Sequence, residues 1–212
     1  MGKSLYSLIL SDEVVRKIDA LAHRSGTNRS NYINSILAEH ASVTTPERRI
    51  NDIFGLINDF FGDGDIVPFY TPNQSSMSLK SCLEYKYRPT MKYEVELYRS
   101  EVGKTVGQLD VLFRTTSSEL LNKLVEFFRM WVNVERSILP LEHEYELGEG
   151  KFSRSISSEN VMNHSSGELA AAISGYVKLF DNSLKSYISG EKTPGEIGND
   201  YSKYARNTEI LI

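Results

Sequence analysis

One short strand near the start of this chain has no strand beside it, and that decides what its first forty-odd residues can do. Leu5-Tyr6-Ser7-Leu8-Ile9-Leu10 reads as a strand, and Ser11-Asp12-Glu13 opens a helix, with Ser11 at the cap and acids in the first turn. Val14, Val15, Ile18, Leu21 and Ala22 fall on one face of that helix. Gly26 supplies the left-handed residue that ends a helix, and Asn28 caps a second one whose apolar face is Ile33, Ile36, Leu37 and Ala41. One strand and two short helices cannot bury enough surface alone. The strand must find a partner, and the nearest one is the same strand of a second copy.

The strand up to Leu10, the Ser-Asp-Glu-Val-Val helix start, the His-Arg-Ser-Gly turn at 23–26 and Asn28-Arg29-Ser30 lie in one order over about residues 3–43. That order resembles the ribbon-helix-helix family, the MetJ/Arc class of DNA-binding proteins. The resemblance implies a homodimer whose paired strands enter the major groove of double-stranded DNA. Period-two geometry sorts the strand into two faces. Tyr6, Leu8 and Leu10, with Ile33, Ile36 and Leu37, form the expected dimer core, while Lys3, Leu5, Ser7 and Ile9 are the expected base-facing set. The family usually places polar or basic side chains on the reading face. Here Ser7 can hydrogen-bond a base, whereas Leu5 and Ile9 offer only apolar contact to a thymine methyl. The expectation is a weak or degenerate reader, or a ribbon that serves dimerisation alone. Thr27, Asn28, Arg29 and Ser30, at the start of the second helix, match the positions that grip phosphate in the family.

Charge follows the same division. Residues 1–50 carry seven Lys/Arg against five Asp/Glu, a balance of +2, whereas the whole chain stands at −4, which leaves −6 for the rest. A DNA-facing head on a body that does not bind DNA fits that asymmetry.

The predicted class is α+β: a ribbon-helix-helix head over 1–44, an amphipathic connecting helix over 45–62, a three-stranded antiparallel meander with a helix over 63–146, and a helical segment over 147–212. Thr45 and Pro46 start the connecting helix, whose stripe is Ile50, Ile53, Phe54, Ile57, Phe60 and Phe61. Residues 66–76 read as loop. Strands are expected over 77–87, 91–98 and 105–114, because Met77, Leu79, Met91, Tyr93, Val95, Leu109 and Val111 alternate with polar residues. Thr116-Ser117-Ser118-Glu119 reads as a capping box for a long helix with Leu120, Leu124, Phe127, Phe128 and Trp131 on one face. Residues 147–160, with Gly148, Gly150 and several serines, read as a flexible connection. Two further helices are expected, one opened by the capping-box pattern Ser165-Ser166-Gly167-Glu168 and a last short one started by Thr193-Pro194-Gly195-Glu196.

Five tyrosines, Tyr70, Tyr85, Tyr87, Tyr93 and Tyr98, concentrate in the sheet region and read as ordinary strand residues or as a pocket lining. Asp59, Asp63 and Asp65 cluster near one loop without the spacing of a calcium site. His143 stands between Glu142 and Glu144, but neighbours on a strand point to opposite faces, so no metal site is expected. Cys82 is the single cysteine, and no secretory signal or membrane span is visible, which gives a cytoplasmic expectation. No phosphate loop, nucleophile motif or convergent acid pair points to an enzyme, and no cofactor is expected. The functional expectation is a dimeric DNA-binding transcriptional regulator, a repressor type, whose body oligomerises or senses a small-molecule or protein effector. The alternatives are a nucleoprotein factor for plasmid partition or relaxosome assembly, or an antitoxin-like interaction module whose ribbon only dimerises.

Overall fold

The computed structural model describes residues 5–62, 64–70, 74–86, 88–159 and 163–212. Lys3, Asp63 and Tyr87, each singled out above, lie outside those residues. Among the described residues there are six helices, α1 (Asp12–Arg24), α2 (Arg29–His40), α3 (Pro46–Phe61), α4 (Ser118–Ile138), α5 (Ser166–Ser189) and α6 (Pro194–Asn207). The strands are β1 (Val67–Tyr70), β2 (Ser76–Cys82), β3 (Thr90–Val102), β4 (Thr105–Phe113), β5 (Tyr145–Gly148) and β6 (Lys151–Ser157). They form one antiparallel sheet in the order β1-β2-β3-β4-β6-β5. The α+β class is as expected; the sheet has six strands where the sequence suggested three.

The three extra strands have distinct causes. β1 occupies Val67–Tyr70 within the stretch 66–76 read as loop, of which residues 71–73 lie outside the described residues, and its Pro68 is tolerated because the strand sits at the sheet edge. β5 and β6 replace the predicted flexible connection. Gly150, at φ +70°, turns the chain between Gly148 and Lys151, and Phe152, Arg154 and Ile156 of the following strand are buried together with the serines between them. An arginine and three serines at buried positions hid that strand in the sequence. β2 is shorter than predicted, because a turn begins at Leu83 and leaves Arg88 at φ +41°.

Met77 and Leu79 of β2, Met91, Tyr93, Val95 and Leu97 of β3, and Leu109 and Val111 of β4 point to one face, as their alternation required. The helices cover that face. Phe180 of α5 lies at the centre of the aromatic core, 5.1 Å from Trp131 and 5.1 Å from Phe152 between ring centroids. The buried Trp131 donates its Nε1–H to the Tyr176 hydroxyl at 2.9 Å. Tyr93, buried on β3, donates to Asp181 of α5 at 2.8 Å, and Lys185 pairs with the same carboxylate. α5 starts at the predicted capping box, Ser165 with Glu168, and α6 starts at the predicted Thr193, which forms a second capping box with Glu196. α4 is capped one residue later than expected, by Ser117 rather than Thr116.

α3 belongs to the same core. Thr45 caps it, accepting from the Arg48 amide at 3.2 Å, and Ile50, Ile53, Phe54, Ile57 and Phe61 are buried. It packs on α5 and touches β1 and β3. Phe60 alone of the predicted stripe is exposed.

Candidate nucleic-acid interface

The strand expected over residues 5–10 is not formed within the single chain: none of the described strands pairs with these residues, and all six side chains are exposed. Leu5 and Ile9 are as open as free side chains, at 99% and 102%, and Tyr6, Leu8 and Leu10 on the other face are exposed too. α1 and α2 pack on each other across the Ser25-Gly26 turn, with Gly26 at φ +63° as the cap required. Their shared core is thin: Ala22 is the only buried residue between 5 and 43. Ile33 is half-buried, while Ile36 and Leu37 are exposed. Ten of the sixteen large apolar side chains exposed among the described residues lie in this short segment. A single chain therefore does not separate the expected dimer core from the expected reading face; apart from the half-buried Ile33, the described members of both are exposed.

The start of α2 has the expected cap. The Asn28 side chain accepts from the Asn31 amide at 2.9 Å, and Thr27 donates its backbone N–H to the Ala22 carbonyl at 2.9 Å. Ser30 is exposed. Arg29 differs from expectation. Its guanidinium grips both oxygens of Asp19 on α1, at 2.6 and 2.5 Å. Those hydrogen bonds hold the Asp19 carboxyl below its ordinary range and raise the Arg29 pKa. The bidentate fork is the geometry with which arginine would hold a phosphate. Asp19 was missed because the pairing spans ten residues and a turn, outside the three- and four-residue spacing at which a helix shows its own ion pairs.

A seam joins this head to the body. Arg48 of α3 faces Glu39 of α2 at 3.7 Å, and Arg99 of β3 faces Glu47 of α3 at 3.7 Å. A cleft there is lined by Thr27, Asn31, Tyr32 and Ser35 of the head and by Thr45, Glu47 and Arg99 of the body. Behind it β3 loses register with β4 between Leu97 and Val102. Gly107 sits opposite Leu97, where a Cβ would lie 2.1 Å from the Glu96 carbonyl oxygen, so only glycine fits. Tyr98, of the tyrosine group, reaches the resulting cavity, while Tyr93 is spent on the core.

The body also holds a buried polar cluster. Arg154 of β6 donates to Glu135 of α4 at 2.9 Å, both nearly inaccessible, and its guanidinium lies 4.3 Å from the centre of the Tyr176 ring. It also bonds the Ile212 carbonyl and reaches His143 at 2.9 Å, and Tyr201 donates to Glu135 at 3.2 Å. Burial works against the Arg154 charge; Glu135 and the neighbouring tyrosines overcome it and raise its pKa. Burial first, and then the Arg154 charge, push the His143 pKa down from 6.5 to about 4. The sequence carried a signal for this cluster. Glu135 sits one turn beyond Trp131 on the apolar face of α4, and a carboxylate there implies a buried partner. His143 therefore serves the Arg154 cluster, and no group of three or more metal-ligating side chains occurs among the described residues. No helix of the described residues is long and apolar enough to cross a membrane. Comparison with family models, curated proteins and solved structures finds no match to this chain.

Proposed function

We propose that this protein is a dimeric DNA-binding regulator, whose residues 5–43 form a ribbon-helix-helix head with a second copy and whose body oligomerises or senses an effector. One observation carries the reading: a six-residue segment with both faces exposed and no partner strand precedes two helices that bury only Ala22. A sheetless strand bearing leucines and an isoleucine is a pairing edge, and an identical strand satisfies it with two-fold symmetry. The capped α2 N-terminus then presents backbone N–H groups to phosphate. The Asp19–Arg29 pair favours a second reading, in which the ribbon only dimerises and the head meets protein rather than DNA.

Binding of the purified protein to its own upstream DNA and to random DNA, at about 50 and about 200 mM salt, tests the proposal. A preference that survives the higher salt supports a sequence-specific regulator. Binding without preference that collapses at the higher salt supports a nucleoprotein role. Absence of binding at the lower salt removes the DNA-binding reading and leaves a dimer seam.

A further inference from the structure

Where β3 parts from β4, its end, the first turns of α3 and the start of α5 enclose a partly open cavity of about 400 Å3. That size falls within the roughly 300–1,000 Å3 typical of small-molecule sites. Its bed is apolar and part of the core: Ile50, Ile53, Leu97, Leu169 and Ile173, all buried. Its rim is polar and holds two guanidinium groups, those of Arg49 and Arg99, against one carboxylate, that of Glu101. Arg49 is fixed there by donating to the His164 carbonyl at 2.7 Å. Arg99 has a side chain 56% exposed, and its Nε lies 3.7 Å from Glu47, beyond the roughly 3.2 Å limit of a good hydrogen bond.

We propose that this cavity binds a small apolar molecule bearing one acidic group, its hydrocarbon part on the Ile50–Ile53–Leu97 bed and its acid on Arg99. A guanidinium over an apolar bed selects that class, since a carboxylate accepts from it with charge-assisted hydrogen bonds. The position makes such a ligand a regulator. Arg99, Glu47 and Thr45 also line the cleft against Asn31 and Tyr32 of the head, so an acid on Arg99 competes with Glu47 and acts on the seam that sets where the head stands. This consequence rests on the DNA-binding reading, whereas occupancy of the cavity does not.

The test uses the full chain and two probes with one hydrocarbon body, decanoate and decanol, each displacing the apolar fluorescent anion anilinonaphthalene sulfonate. Straight-chain acids from butanoate to dodecanoate and 1-naphthoate extend the series. The expected result is saturable binding of decanoate about tenfold or more tighter than decanol. Arg99→Gln should remove most of that difference and leave decanol unchanged, and Ile53→Trp, which fills the bed, should abolish both. Because Arg99 is at the surface, its replacement tests the site even if Ile53→Trp does not fold. Equal binding of decanoate and decanol, an Arg99→Gln protein that still prefers the acid, or no saturable binding across the series overturns the proposal. DNA binding with and without saturating decanoate separates the two readings. Decanoate binding by a protein that ignores DNA removes the regulator and keeps the site, whereas DNA binding without any acid bound does the reverse.

Discussion

Head and body are built from similar residues and reach opposite ends. α1 and α2 have apolar stripes, as α3, α4 and α5 do, yet residues 5–43 bury one alanine while the body encloses Trp131, Phe180 and the inner faces of β2, β3, β4 and β6. The body has a sheet wide enough for its helices to cover. The head has helices and no sheet. Where every strand has a neighbour, a chain folds alone; if residues 5–10 pair with a second copy, as proposed, the stability of the head would become a matter of concentration.

The sharpest break in that comparison is Leu8→Asp. In a symmetric dimer the change acts twice, and at about 2–5 kcal/mol per copy pairing at micromolar concentration is lost. Sedimentation should show a monomer with a cooperatively folded body; a mutant that stays dimeric removes the ribbon from the account. Next comes the body's own weak point. Arg154→Met leaves Glu135 buried without its cation and should cost about 3–5 kcal/mol in urea unfolding, with Arg154→Met/Glu135→Leu recovering much of it. An oligomeric state unchanged by Arg154→Met would sharpen the division between the two regions.

A smaller effect follows pH. His143 titrates near 4 when folded against an ordinary 6.5, so between those values the unfolded chain takes up a proton that the folded chain refuses. Its contribution is full above about 6.5, declines as pH falls and levels off below about 4. Urea midpoints of His143→Gln across that window should slope less than those of the native protein; parallel slopes would show that the ring is not held neutral. Smallest is the pair in the head. Arg29→Ala should weaken all DNA sequences alike and reduce the salt slope by about one, while Asp19→Asn should strengthen binding a fewfold. No response to either change would mark the pair as a clamp between α1 and α2.

Much of this was legible where one rule decides one residue. Thr45 before Pro46, Ser165 with Glu168 and Thr193 with Glu196 opened their helices as local capping chemistry dictates. β4, and β3 as far as Tyr98, were legible because polar and apolar residues alternate there; the continuation of β3 to Val102, past the loss of register, was not read. β6 was not, because Arg154 stands where an apolar side chain would have announced the inner face, and its reason for being there, Glu135, comes from another element. Arg29 shows the same limit from the side of the candidate site. Its place at the start of α2 was readable, but Asp19 was not, since only the packing of α1 on α2 brings them together. The cavity had no sequence signature either; it arises from a loss of register between two well-read strands.

Five residues, Ala41 to Thr45, separate α2 from α3, and α3 is embedded in the core of the body. Such a link spans at most about 18 Å when extended. In a ribbon-paired dimer it tethers the two bodies around the two-fold axis at an effective concentration on the millimolar scale. Contacts between bodies too weak to form in dilute solution, such as between the exposed Phe60, Val67 and Phe69, would then be populated whenever the heads are paired. Crowding by tether would give such a dimer a second surface that the separate chains do not share.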